Sequence, residues 1–351
     1  MTHFRYLRIK AAATAAAFLL LLFLSGCGEK NITEPATELP ALTDPIPYGV
    51  LGSGKIAFER VGPYPGKYEG CYVIDLDRKQ TWGQKMDLSA NYCLSPDGTK
   101  IAYAEFTEFA LYDIHIADIS FKNARNISDL SGQDRYPVWD PSGEHIFFWV
   151  EGTGAPAPQL FIRPVAPDSA RPKLVVTFLF GLYILQPTGR VSVSPAGKVA
   201  FVTNYNQSKN LAGLYTLDIS GKNFKRIVPL PEGRYFESPV FSPDGSKIAL
   251  LSVKRDAEAA YHKLSILLVD TACRQAATIA ELEAKGSKEW HSPGKDNNVS
   301  LVWSPDGRQL LFNLPEGNFV SHLYVINADG TGLTQITSAK GVTDRLPSWS
   351  R

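Results

Sequence analysis

Residues 240–252 read VFSPDGSKIALLS, and this stretch decides the fold. Proline presets φ for the second position of a tight turn, Asp suits the third, and Gly accepts the left-handed conformation that follows. The run after the turn, KIALL, is apolar on both faces, as expected for a strand covered on both sides. The same unit recurs along the chain: CLSPDGTKIAYAEF from 93, VWDPSGEHIFFWV from 138, VSPAGKVAFVT from 193 and VWSPDGRQLLFN from 302. The turn prolines Pro96, Pro141, Pro195, Pro243 and Pro305 are spaced 45, 54, 48 and 62 apart. The longest interval holds an insertion near 284–297.

A third strand follows in register: CYVIDLD at 71, LYDIHIADIS at 111, QLFIRPV at 159, LYTLDISG at 214, SILLVDTA at 265 and LYVINADG at 323. A weaker fourth follows, as in ARNISDL at 124 and LTQITSA at 333. Four strands repeated every ~45 residues is the pattern of propeller blades. The third strand occurs six times but the turn only five. The first unit starts at GSGKIAFER, 52–60, a second strand with no first strand before it, while the chain ends on DRLPSWSR, 344–351, a first strand with nothing after it. The expectation is an all-β, six-bladed propeller over 51–351, its ring closed by the C-terminal strand completing blade one.

The pattern LPSWS, SPDG, LYVIN and LTQIT resembles the TolB-like β-propellers over nearly all of 50–351. More distantly it is similar to the propellers that cap prolyl oligopeptidase-type enzymes. The resemblance implies a channel mouth at which a partner docks. TolB carries an α/β domain before its propeller, where only a short tether is expected here, and it lacks a lipoprotein signal. The expectation is therefore a TolB-like lipoprotein rather than TolB proper.

That signal is read from the first residues. Arg5, Arg8 and Lys10 precede an apolar run over 11–24, and Leu24-Ser25-Gly26-Cys27 follows. A charged region, an apolar region too short for a span, small residues and a cysteine, in that order, make 1–26 a lipoprotein signal peptide with Cys27 acylated, palmitate included. Residues 27–50, rich in Pro, Thr and Glu, are expected to form a flexible tether. Localisation follows: the bacterial cell envelope, on a membrane through Cys27. Without 1–26 the chain keeps 33 Lys and Arg against 35 Asp and Glu. This balance excludes a nucleic-acid footprint. For Cys71, Cys93 and Cys273, a Cys71–Cys93 disulfide stands against three unpaired, buried thiols, and the latter is favoured.

Catalytic chemistry is sparse. GVLGSGKI at 49–56 fits G-x-x-x-x-G-K but ends on Ile56 where a P-loop needs Ser or Thr, and it opens a strand. There is no G-x-S-x-G, H-E-x-x-H, C-x-x-C or EF-hand loop. No cofactor and no metal is expected. His115, His145, His262 and His322 lie in or beside repeat strands and read as structural. His291, with Trp290 in the insertion, is the candidate for a partner-contacting loop.

In a propeller, first strands line the channel and the residues just before them ring one mouth. Aligned copies place there Asp134, Arg135 and Tyr136; Asp344 and Arg345; Arg234, Tyr235 and Glu237; Arg190; Asn298 with Asn297; and Asn91. Arginines beside acids, Tyr and Asn suit a carboxylate or an acidic segment. Equally, Asp and Arg at equivalent positions could simply pair with each other. The expected function is a non-catalytic binding module for an envelope protein or peptide segment, acting as a monomer. The alternatives are a propeller lyase, lactonase or cyclotransferase with a channel metal, or a carbohydrate-binding surface lipoprotein using Tyr235 and Trp290.

Overall fold

The computed structural model describes residues 38–351 apart from 40, 63–67, 86–91, 108–110, 131, 153–156, 167–170, 181–182, 185, 188, 206–210, 255–260, 286–298 and 318–319. The signal peptide, Cys27, Asn91, Trp290, His291, Asn297 and Asn298 lie outside the described residues. Those described form strands and turns with no α-helix.

The turn chemistry works as the sequence suggests. In the copy at 95, the Gly98 N–H donates to the Ser95 carbonyl, the Ser95 hydroxyl to Asp97, and the Lys100 N–H to the Ser95 Oγ. Ser242 and Ser304 repeat the arrangement. Gly98, Gly245 and Gly307 hold φ of 63°, 73° and 71°, which any other residue would adopt only at a steric cost.

Each turn joins the first and second strands of an antiparallel unit. Thr343–Ser350, Lys55–Val61, Tyr68–Asp75 and Gln80–Gln84 make the first unit. Tyr92–Leu94, Lys100–Phe106, Tyr112–Asp118 and Arg125–Asn126 make the second, and Gln133–Trp139, His145–Glu151, Gln159–Pro164 and Lys173–Thr177 the third. The fourth runs Ser192–Val193, Lys198–Tyr205, Gly213–Asp218 and Lys225–Pro229. The fifth runs Arg234–Phe241, Lys247–Lys254, Tyr261–Asp270 and Ala276–Lys285, and the sixth Leu301–Trp303, Gln309–Gly317, Val320–Asn327 and Thr334–Gln335. The C-terminal strand does lie beside Lys55–Val61, with Lys55 opposite Ser350 and Ile56 opposite Trp349.

The core is partitioned between units. Ala57 and Leu346 of the first pack with Tyr92 and Ile101 of the second; Ala102 of the second packs with Trp139 and Phe148 of the third. Phe147 and Trp149 meet Val199 and Phe201 of the fourth, whose Leu214 meets Phe236 and Ile248 of the fifth. Leu251 and Leu264 of the fifth meet Trp303 and Phe312 of the sixth, whose Leu311 and Val325 meet Ile56 and Trp349 of the first. Burying one such side chain contributes about 1.5–3 kcal/mol, so each contact between units is substantial.

Two expectations need correction. The tether does not extend to residue 50. Glu38–Leu39 adds a strand outside Gln80–Gln84, and Leu39, Leu42, Ile46 and Tyr48 pack on the cluster between the sixth and first units. Apolar residues among the prolines give this stretch something to bury. The thiols are unpaired, but Cys273 is exposed in a turn, while Cys71 and Cys93 are buried in separate clusters.

Candidate functional site

Three first strands carry the same irregularity. Pairing with the second strand breaks register between Ala57 and Glu59, Phe147 and Trp149, and Glu237 and Val240. At the break stand Leu346, Tyr136 and Ser238, with φ of 55°, 56° and 48°, each followed by a proline. Proline has no N–H for the ladder, so the pair is accommodated as a bulge, which re-aims the side chains before it. Those side chains are the predicted site residues.

In the first unit they are spent internally. Arg60 donates through Nε to Asp344 Oδ1 at 2.7 Å and through Nη2 to Oδ2 at 2.8 Å, and its Nη1 reaches Asp44 Oδ2 at 2.8 Å. Asp44 also accepts from the Ser338 and Ala339 N–H groups. Burial alone would raise the Asp44 carboxyl. The Arg60 hydrogen bond and the Ser338 N–H offset this and hold it below its usual range. His322 Nδ1 lies 3.7 Å from Asp344. The Arg345 Nε donates to Glu59 Oε2 at 2.7 Å. Asp344, Arg345, Glu59 and Arg60 are all buried, so Asp344 and Arg345 do not stand open at a mouth. Glu59, Arg60 and Asp44 were missed by sequence reasoning. The signal was present in KIAFER, since the corresponding run in the third unit, HIFFWV, carries no charge at those two places.

The third unit differs. Asp134 lies opposite Val150 and Arg135 opposite Trp149, where the first unit has Arg60 and Glu59. Asp134 is fully buried, and burial pushes its carboxyl up to about 7; the Ser128 hydroxyl opposes the shift and the Asp113 charge adds to it. Arg135 is half-buried, lies 4.6 Å over the Tyr112 ring and donates to Gln133 Oε1 at 3.3 Å. Its Nε is buried without an acceptor. Tyr136 packs half-buried on the aromatic cluster of the third and fourth units.

Arg190 precedes the first strand of the fourth unit and donates to the Tyr92 carbonyl of the second. It lies 5.8 Å from the Tyr92 ring centroid, and its Nε is also buried without an acceptor. In the fifth unit Arg234 donates to the Ser252 and Ser265 hydroxyls, both at 3.1 Å, with Tyr235 and Glu237 half-buried nearby in the strand. Among the described residues, Arg135 and Arg190 have no carboxylate within ion-pair distance.

At the opposite ends of the first strands lies a cavity of about 540 Å³. Pro96, Pro141, Pro195, Pro243, Pro305 and Trp349 line it, a contribution from each unit, and none of the predicted site residues does. His115 and His145 bond Glu105 and Asp140 at 2.9 and 3.3 Å, which are structural roles. No group of three or more His, Cys, Asp or Glu placed to hold a metal occurs among the described residues.

No family model matches the chain. Among curated proteins, the Tol-Pal system protein TolB of Anaeromyxobacter dehalogenans is 30% identical over 137 residues, which is 39% of this chain and 26% of that protein. The chain thus spans about a quarter of the relative it matches. Among solved structures, TolB from Acinetobacter baumannii superposes with a TM-score of 0.61 at 20% identity, covering 86% of this chain and 68% of that one. An oligogalacturonate lyase in complex with manganese superposes with a TM-score of 0.51 at 12% identity, covering 87% and 86%. The chain is TolB-like, homologous to TolB over part of its length, and its fold is a β-propeller.

Proposed function

We propose that the chain is a lipid-anchored, closed six-bladed propeller that acts as a non-catalytic binding module, receiving an acidic segment of an envelope protein where the first strands begin. Closure is supported by the cluster that links the sixth unit to the first and by a cavity to whose lining all six units contribute. The anchor rests on the 1–26 signal and Cys27. The observation that carries the binding reading is the pair Arg135 and Arg190. Each guanidinium rests on an aromatic ring, keeps a buried Nε without an acceptor and faces no carboxylate. A carboxylate arriving there would meet pre-oriented donors in a partly water-excluded site, where charge-assisted hydrogen bonds are strong.

The test is capture from envelope extract with the full chain beside its Arg135→Glu/Arg190→Glu variant, with folding of both checked by thermal unfolding. A protein retained by the first and lost by the folded second supports the reading. Equal capture by both removes these arginines from the contact. Arg345 is unsuited to this test, because reversing its sign would bury a second carboxylate beside Glu59.

A second reading, a propeller enzyme with a channel metal, draws on the likeness to oligogalacturonate lyase, which is one of fold. Elemental analysis of the purified chain discriminates: a stoichiometric divalent metal favours the enzyme.

A further inference from the structure

Two other cations stand where the second and third units meet, away from the first-strand ends. Arg125 opens the short fourth strand of the second unit, and Arg163 sits in the third strand of the third. The Arg125 Nη2 donates across the seam to the Val165 carbonyl, and the Arg163 Nη1 donates back to the Ile127 carbonyl. Ile127 lies two residues beyond Arg125, and Val165 two beyond Arg163. The exchange is therefore reciprocal and lays the two guanidiniums side by side.

Like charges so placed repel, and no described carboxylate on either unit pairs with them. No carboxylate comes within ion-pair distance of either arginine among the described residues. Burial and then the Arg125 charge lower the proton affinity of Arg163, while Asp129 opposes this from beyond ion-pair distance. The Arg163 Nε is buried without an acceptor. Both side chains are half-buried, over an apolar floor that includes Ile127, Leu130 and Val165. A clasp between the two units needs only a neutral donor on each side. The two charges are what a clasp leaves unexplained.

We propose that Arg125 and Arg163 form an oxyanion site that takes a phosphate group at the seam of the second and third units. A guanidinium offers five donors in a planar fork, and each here commits one to a backbone carbonyl, leaving the fork oriented. Two forks approaching from opposite units suit a tetrahedral group with three or more oxygens better than a carboxylate, which one fork would saturate. The phosphate comes either free, as an ester, or on a lipid headgroup.

The test is calorimetric titration and thermal unfolding of the full chain with inorganic phosphate, glycerol 1-phosphate and a short-chain phosphatidylglycerol, against sodium chloride at matched ionic strength. Expected are saturable binding with a rise in unfolding temperature, and affinity weakened by about tenfold or more in Arg125→Gln/Arg163→Gln. Binding of glycerol 1-phosphate without the lipid assigns a free ester, and binding of both admits a headgroup. Should the double glutamine variant fail to fold, Arg125→Lys/Arg163→Lys keeps the charge and removes the fork. Affinity falling about tenfold there supports the site, and unchanged affinity overturns it. No saturable binding above the chloride control overturns it outright.

Discussion

The first and third units carry the same first-strand motif, Asp344-Arg345-Leu346-Pro347 and Asp134-Arg135-Tyr136-Pro137, and put it to opposite uses. Both kink at the third residue. In the first unit the facing strand supplies Arg60 to the acid and Glu59 to the arginine, so the motif closes into buried pairs. In the third the facing strand supplies Val150 and Trp149. There the acid is buried with its carboxyl titrating near neutrality, and the arginine leans on Tyr112 instead. The motif alone therefore does not determine whether its charges are structural or free for a ligand. The register partner does.

The largest effect should come from breaking the first unit. Arg60→Met leaves Asp344 and Asp44 buried without their cation and should cost about 3–5 kcal/mol in urea unfolding. A loss under about 1 kcal/mol would mean that water reaches both carboxylates and that the contrast between the units is false. Next comes Arg345→Met, which strands Glu59 and should cost about 3 kcal/mol. Glu59→Leu/Arg345→Met should recover most of that, because removing both partners of a buried pair costs far less than removing one.

Much of this fold was legible in the sequence. The Ser-Pro-Asp-Gly turns and the apolar second strands are local and repeated, so each copy corroborates the others, and the pairing of Lys55–Val61 with Thr343–Ser350 followed from a half unit at each end. The site was half legible. Asp134-Arg135 and Asp344-Arg345 do occupy equivalent register positions, yet the fates of the two arginines depend on a residue 286 positions away in one case and on one in another unit in the other. Asp44 was hidden for a different reason. Its stretch has the composition of a linker, and only the structure shows Leu39, Leu42, Ile46 and Tyr48 docking it.

A smaller effect, of opposite sign, is expected at Asp134. A free aspartate titrates near ~3.9, and this one near 7. Between these values the folded chain binds the proton and the unfolded chain does not, so this carboxyl makes stability fall as pH rises from about 4 to 7. Asp134→Asn should remove that slope and stabilise the chain at neutral pH. Asp44, held low, acts the other way: its contribution is present above about 4 and is lost as pH falls further. Unfolding curves at several pH values separate the two. An unchanged slope between 4 and 7 in Asp134→Asn would mean that the carboxyl is ionised in the folded chain.

The smallest effect on stability should be that of Arg135→Gln, and for that reason it decides the most. Arg135 has a ring beneath it and a neutral acceptor beside it, and a half-exposed cation over an aromatic face contributes about 0.5–1 kcal/mol. Glutamine keeps a donor there and leaves no acid stranded, so urea unfolding should shift by under about 1 kcal/mol, while capture of an acidic partner weakens. Arg345→Met should show the reverse, a large loss of stability. If Arg135→Gln instead costs as much as Arg345→Met, then Arg135 is as structural in the third unit as Arg345 is in the first. The two motifs would then have one use, and the binding reading would lose the arginine that carries it.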